Sequence, residues 1–168
     1  MTDQFSPAGL QLLTTDEGYR SSAYLDRRGR GGVWTIGFGH TGPEVVAGLT
    51  WTRSQAEQQL AVDVARFCRG VVPLVPPTLG DNRFSALVCL AFNIGLGAFA
   101  GSSARHLACT GALDQVPDHI KLWNKDEADG HLVLVPGLVK RRRMEVALWN
   151  TPDGAPAPDF AAILNTPL

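Results

Sequence analysis

Residues 17–42 read EGYRSSAYLDRRGRGGVWTIGFGHTG and differ in character from the rest of the chain. Tyr24-Leu25-Asp26 and Val33 to His40 contain the aromatic and β-branched residues that favour strands. Between them lies a glycine-rich run, Gly29 to Gly32, which is typical of a turn. We therefore predict a β-hairpin with a long connection.

Helical patterns lie on both sides of this hairpin. Ser6-Pro7 combines a good N-cap with proline at the first helical position, and Thr52 with Gln55 makes a capping box. A short turn-rich insert is expected around Asp129-Gly130, and the tail from Thr151 to Leu168, with its four prolines, is expected to be extended. Helices are predicted at about 7–17, 53–72, 81–94, 102–110, 114–124 and 137–149. The chain is thus predicted to be α+β and mainly helical.

The charge balance limits the classes of partner. The 168 residues include 15 Lys and Arg against 16 Asp and Glu, a formal net charge of −1. A dedicated nucleic-acid binder would show a strong basic excess, so no nucleic-acid partner is predicted. The start of the sequence lacks the basic region of a signal peptide, and the long uncharged run between Arg83 and Arg105 is broken by glycines and asparagine. We predict neither an export signal nor stable membrane insertion.

The cysteines show no pairing pattern. Cys68, Cys89 and Cys109 form an odd set without a CxxC motif. Such a set resembles neither a disulfide framework nor a zinc site. We predict three buried thiols in a reducing compartment and no metal site.

Two carboxyl groups stand out within residues 17–42. Glu17 ends the first predicted helix, where the helix dipole and the edge of the core both favour a protonated carboxyl. Asp26 lies at the mouth of the hairpin turn, where it should remain ionised. Glycoside hydrolysis uses such a contrasting pair. On the returning strand, Thr35 lies beside Gly37 and Gly39, which are expected to leave space for a sugar. From these residues alone, Glu17 and Asp26 can be interpreted either as a catalytic pair or as ordinary surface carboxylates.

The order of motifs resembles a known family. Glu17-Gly18, Ala23 to Asp26 and Thr35 to Gly42 look like the active-site segment of phage-type lysozymes, the muramidase endolysins of glycoside hydrolase family 24. The similarity continues through Phe92 to Gly95 and Gly137 to Arg142. It thus runs from about residue 10 to residue 150.

The resemblance implies a two-lobed, mainly helical lysozyme fold in a single catalytic domain at residues 1–150. The small lobe would span about 18–52, and a linking helix would follow at about 53–72. The helical lobe would comprise residues 73–150 together with residues 5–17. The motifs that carry the resemblance do not extend into the proline-rich tail at 151–168.

The resemblance also implies the catalytic roles. Glu17 matches the catalytic acid of the family, Asp26 its second carboxylate, and Thr35 the threonine that helps to place a water molecule. One departure from the family is the eight-residue segment Arg27 to Trp34 between the aspartate and the threonine, which is longer than usual. The additional length could change Asp26 from a base to a nucleophile.

Further positions carry implied supporting roles. Thr41, Phe92 and Ser102 match positions that bind the glycan, and Arg141 would pair with Glu17 across the lobes. The remainder of the basic run Lys140 to Arg143 would attract the anionic peptide stems of peptidoglycan. His40 is expected to brace the hairpin. The family implies no metal and no cofactor.

The implied function is that of an endolysin. The chain would act as a monomer on peptidoglycan and hydrolyse the β-1,4 bond between N-acetylmuramic acid and N-acetylglucosamine. It would accumulate in the host cytoplasm and reach the wall after a separate protein permeabilises the membrane. The alternatives are a lytic transglycosylase, which the presence of Asp26 and Thr35 disfavours, and a non-catalytic peptidoglycan-binding domain.

Overall fold

A computed structural model describes residues 5–26, 32–128 and 131–167 of the chain. The predicted tip of the first hairpin at 27–31 and the turn at Asp129-Gly130 lie outside these residues. In chain order the elements are α1 (Pro7–Glu17), β1 (Arg20–Asp26), β2 (Val33–Gly37), α2 (Arg53–Val71), a short 3-10 helix (Val72–Leu74), α3 (Asp81–Ile94), α4 (Leu96–Ala100), α5 (Ser103–Thr110), α6 (Val116–Lys121), β3 (Lys125–Ala128), β4 (His131–Leu134), α7 (Pro136–Trp149) and α8 (Phe160–Asn165). The α+β, mainly helical class is confirmed.

The chain divides into two compact units. One comprises Leu13–Arg66, and the other comprises Met1–Leu12 with Phe67–Leu168. We call them the small unit and the large unit. The boundaries fall inside α1 and α2. The lobe limits given above, with a linking helix at 53–72, stay a prediction.

The small unit contains the predicted hairpin. Strands β1 and β2 are antiparallel, and Asp26 pairs with Val33, Leu25 with Trp34, and Tyr24 with Thr35. The pairing is regular next to the connection and irregular only towards the start of β1. Asp26 therefore lies in the regular part of the strand pairing.

The predicted helix starts at α1 and α2 are confirmed. The Gly9 amide donates to the Ser6 hydroxyl at 3.1 Å. At α2 the Thr52 amide donates to Oε1 of Gln55 at 2.8 Å, and the Gln55 amide donates to Oγ1 of Thr52 at 3.3 Å. These bonds satisfy amides that a helix start otherwise leaves without partners.

Helix α3 forms the centre of the large unit. Phe84, Leu87 and Leu90 are fully buried, and α3 packs against α7. A Cβ on Gly9 would lie 2.7 Å from Cβ of Ser85, so glycine is what allows α1 to approach α3 closely at this position. Within the described residues, no helix is long and apolar enough to cross a membrane.

The tail is folded, and the expectation that it is extended was wrong. Asp159 caps α8 by accepting a hydrogen bond from the Ala162 amide at 2.9 Å. Phe160 is fully buried, and α8 packs against α7. Further upstream, the Asp153 carboxylate accepts from the Asn82 amide at 2.7 Å and so caps α3 from a distant part of the chain. Proline-rich composition did not reveal these long-range contacts.

The region between α6 and α7 also differs from expectation. The insert is flanked by paired strands, β3 and β4, rather than being only a turn. Leu132, Val133 and Leu134 of β4 are exposed. Helix α6 is shorter than predicted, and α4 was not predicted. The polar β3 sequence, Lys125 to Ala128, carries no alternation that would reveal a strand.

The prediction of three buried thiols is confirmed for one of them and was wrong for the other two. Cys89 is buried, Cys68 is half-buried and Cys109 is exposed. Burial raises the pKa of the Cys68 thiol, since the charged thiolate is poorly solvated there.

Replacing Phe160 tests whether the tail is integral to the large unit. Phe160→Ala should lower the free energy of unfolding by ~3–5 kcal/mol, because it removes a fully buried aromatic ring. Leu132→Ala is the control, since Leu132 is 72% exposed. Urea unfolding of both variants measures the effect, and equal stability of the two proteins would contradict the docked tail.

Candidate active site

Glu17 lies against the backbone of the turn that follows β2. It is the last residue of α1, and Gly18 after it has φ +63°, a conformation that favours glycine. A Cβ on Gly39 would lie 3.0 Å from Oε2 of Glu17 and 3.2 Å from its Cδ. The carboxyl of Glu17 is therefore in contact distance of the Gly39 main chain.

Asp26 and Thr35 share one face of the hairpin. Tyr24 pairs directly with Thr35, and Asp26 pairs with Val33. Paired residues of antiparallel strands project to the same side, and diagonal neighbours of this kind are about 7–8 Å apart. The register thus brings two of the three predicted catalytic residues together.

The Thr35 side chain is buried and already uses its hydroxyl hydrogen. Its Oγ1 donates to the carbonyl of Val33 at 3.1 Å. A threonine hydroxyl also has lone pairs that accept hydrogen bonds. In this arrangement Thr35 can orient a water molecule by accepting a hydrogen bond from it.

On the side where a Cβ would point, the glycines of the returning strand are next to protein side chains, and the expectation that they leave space for a sugar stays a prediction. A Cβ on Gly37 would lie 3.1 Å from Cβ of Ala56 and 3.2 Å from the Trp51 ring. At Gly39 the corresponding space is taken by the Glu17 carboxyl. Both glycines make room for side chains of the protein itself.

His40 braces the hairpin, as predicted. Its main chain and that of Ile36 exchange two hydrogen bonds, with N–O distances of 3.0 and 2.9 Å. Its ring lies between two carboxylates, with Nδ1 2.7 Å from Oδ2 of Asp63 and Nε2 2.7 Å from Oε1 of Glu44. The Trp51 ring lies 5.4 Å away between centroids.

The sequence reasoning missed both carboxylate partners of His40. Asp63 is buried on α2, on the same stripe as Leu60, Val64 and Phe67. An acidic residue on an apolar helix stripe is a signal that could have found it. Glu44 is close in sequence to His40, and its carboxyl folds over Gly42, where a Cβ would lie 2.7 Å from Cδ of Glu44.

The contact with His40 changes the pKa of Glu44. The hydrogen bond from the His40 side chain is the largest cause that lowers the pKa of the Glu44 carboxyl, because it favours the charged form. Glu44 is about half exposed, with 56% of its side chain accessible.

A second contact holds the chain just after Glu17. The hydroxyl of Tyr19 donates to the carbonyl of Trp51 at 2.7 Å. The Tyr19 ring lies 5.8 Å from that of Phe38 between centroids. The end of α1 is thus connected to the same Trp51 that packs on Gly37 and faces His40.

The remaining predicted site residues are distributed over both units. Thr41, in the small unit, is exposed. In the large unit the Phe92 ring lies 4.9 Å from that of Phe67, and Ser102 is buried, with its hydroxyl accepting from the Arg105 amide at 3.2 Å. The glycan-binding roles of Thr41, Phe92 and Ser102 stay predictions.

The basic run on α7 is not a uniform charged surface. Arg141 is buried, and its pairing with Glu17 stays a prediction. Arg142 is also buried, and it donates to Glu145 at 2.6 Å and to the carbonyl of Trp123 at 3.0 Å. Arg142 is therefore a structural residue, and its predicted attraction for peptide stems was wrong.

Comparison with known proteins identifies the family. The phage lysozyme family matches residues 14–145. The chain belongs to the phage lysozyme family. It is 34% identical over 146 residues to the endolysin of Acyrthosiphon pisum secondary endosymbiont phage 1, which covers 87% of this chain and 97% of the relative. Its identity to the endolysin of Salmonella phage P22 is 35% over 150 residues, covering 87% and 97%.

A solved structure agrees with this assignment. The muramidase domain of SpmX from Asticaccaulis excentricus superposes with a TM-score of 0.81 at 32% identity, covering 89% of this chain and 99% of that domain. The resemblance drawn from residues 17–42 is thus confirmed. The enzyme is a glycoside hydrolase of the muramidase endolysin type and degrades peptidoglycan. Within the described ranges, no three His, Cys, Asp or Glu side chains cluster so as to hold a metal ion.

The hydrogen bond between His40 and Glu44 predicts a titration effect. The Glu44 carboxyl should titrate below its ordinary pKa of 4.5, and the midpoint should return towards 4.5 in His40→Asn. The stability that this bond contributes is present above the unfolded-state pKa and is lost as pH falls through the folded-state pKa. Carbon-13 NMR of the Glu44 carboxyl measures the midpoint, and the same value in both proteins would contradict the assignment.

Proposed function

We propose that this enzyme hydrolyses the β-1,4 bond between N-acetylmuramic acid and N-acetylglucosamine with inversion at the anomeric carbon. The proposal assigns the general acid to Glu17, the general base to Asp26, and the placement of the attacking water to Thr35. The observation that supports it most directly is the contact of the Glu17 carboxyl with Gly39, which lies within the segment that carries the resemblance to the family.

The proposed reaction begins with proton transfer from Glu17. Glu17 donates its proton to the glycosidic oxygen as the bond to the anomeric carbon breaks. A water molecule attacks that carbon from the opposite face of the sugar, and Asp26 removes a proton from the water. Because Asp26 and Thr35 share one face of the hairpin, both can contact the same water molecule.

Substrate contacts are proposed for residues in both units. We assign glycan binding to Thr41, Phe92 and Ser102, and an ion pair with the catalytic acid to Arg141. The Ser102 hydroxyl accepts a hydrogen bond from the Arg105 amide. It can still donate its own hydrogen to a glycan oxygen. Phe92 lies beside Phe67, and such an aromatic pair offers an apolar surface to a sugar ring.

The cellular setting is also proposed. We expect the enzyme to accumulate as a monomer in the host cytoplasm and to reach the wall once a separate protein permeabilises the membrane. Relatives named endolysins support action on the cell wall. The nearly balanced charge supports a substrate other than nucleic acid.

Removal of the acidic proton tests the role of Glu17. Glu17→Gln should lower kcat at least ~10²-fold, because an amide cannot protonate the leaving oxygen. Glu57→Gln is the matched control, since Glu57 is an exposed carboxylate of α2 that pairs with Arg53. Turbidity loss of purified peptidoglycan measures both variants, and thermal unfolding checks that they are folded. Near-normal activity of folded Glu17→Gln would refute the assignment.

The stereochemistry of the product tests the role of Asp26. An inverting enzyme needs roughly 6.5–9.5 Å between its carboxyls to admit a water molecule, against about 5 Å for a direct nucleophile. We expect the first-formed reducing end to be the α-anomer, which proton NMR detects before mutarotation. An initial β-anomer would mean that Asp26 acts as a nucleophile, and an anhydro-muramic end would mean transglycosylation.

A further inference from the structure

The backbone turn that contacts Glu17 is closed at one point. Ile36 and His40 exchange two main-chain hydrogen bonds, with N–O distances of 3.0 and 2.9 Å. The residues between them include Gly37 and Gly39, with φ of +66° and +80°. Such values favour glycine and disfavour other residues. We call residues 36–40 the closing turn, and its Gly39 is the part in contact with the Glu17 carboxyl.

The closing turn is fixed to the rest of the small unit through the His40 side chain. Asp63 attaches the ring to α2, and Glu44 attaches it to the loop that follows the turn, each at 2.7 Å. A doubly protonated imidazole can donate to both carboxylates, whereas a neutral one has only one N–H. The far oxygen of Asp63 is itself held by Nε2 of Gln59 at 3.3 Å.

The contacts of His40 hold the closing turn in place, and the closing turn in turn fixes where the Glu17 carboxyl lies. Proton donation requires the acid within hydrogen-bond distance of the leaving oxygen, and small misplacements of reacting groups cost rate steeply. We propose that His40, held by Asp63 and Glu44, is a positioning residue for Glu17 that acts through the closing turn. The inference rests on the role of Glu17 as the acid, which is proposed above.

A substitution of Glu44 distinguishes a positioning role of the His40 contacts from a purely structural role. Its carboxylate is about half exposed, and exposed ion pairs contribute little to stability because water screens them. A purely structural Glu44 would therefore affect neither stability nor turnover appreciably. As a positioning residue it should affect turnover while the protein stays folded.

The first experiment compares kcat and KM for Glu44→Ala and His40→Asn. Alanine is used at position 44 because glutamine would keep an oxygen that accepts a hydrogen bond from Nε2 of His40. Solubilised peptidoglycan is the substrate, and thermal unfolding is recorded for each protein. We expect kcat to fall about 10-fold, with KM within about 2-fold of the wild type, because a displaced acid impairs the transition state more than substrate binding. The control is Glu57→Ala, which removes an exposed carboxylate from an ion pair on α2. Unchanged kcat in folded Glu44→Ala would overturn the proposal, whether or not His40→Asn folds.

The second experiment uses a matched pair of glycines in the small unit. Gly39 and Gly48 have φ of +80° and +84°. A Cβ on Gly39 would meet Glu17, whereas one on Gly48 would have nothing within 4 Å. Alanine therefore brings similar backbone strain at both positions, but a contact with the acid only at Gly39. We expect Gly39→Ala to lower kcat by about 10²-fold and Gly48→Ala to remain near the wild type.

The outcomes separate this inference from the proposed function. If folded Glu17→Gln stays active, the acid assignment fails, whatever the glycine variants do. If Glu17→Gln is inactive while Gly39→Ala and Gly48→Ala lose the same amount of kcat, the acid assignment stands and the positioning inference is overturned.

Discussion

The contact between the Glu17 carboxyl and the Gly39 backbone is the constraint that joins the end of α1 to the closing turn. A side chain at Gly39 would occupy the place of the carboxyl. The position therefore needs glycine both for this space and for its positive φ. Because α1 ends at Glu17, the contact fixes the end of one helix against the turn that closes the hairpin.

The glycines of TIGFGHTG, residues 35–42, each make room for another group of the protein. Gly37 makes room for Trp51 and Ala56, Gly39 for Glu17, and Gly42 for the Glu44 carboxyl. His40 lies between Gly39 and Gly42 in the sequence, and its ring connects this segment to Asp63 on α2. The glycines thus allow side chains of the protein, two of them carboxylates, to approach its main chain.

Buried charges have different roles in the two units. In the small unit, the His40–Asp63 pair lies beside the turn that contacts the proposed acid. In the large unit, Arg142 and Glu145 form a buried pair at 2.6 Å, and Arg142 also donates to a main-chain carbonyl. Loss of one partner would leave an uncompensated buried charge in either case. Only the first pair connects to the proposed chemistry.

The sequence by itself determined the hairpin, the capping of α1 and α2, and the family, because these depend on local patterns. Ser6 and the Thr52–Gln55 pair act within one helical turn, and the motif at residues 17–42 is contiguous. Only the tertiary structure decided that Asp63 hydrogen-bonds to His40 and that Phe160 is buried in a folded tail. Those contacts join residues far apart in the chain, and local periodicity carries no information about which distant side chain will fill a given space.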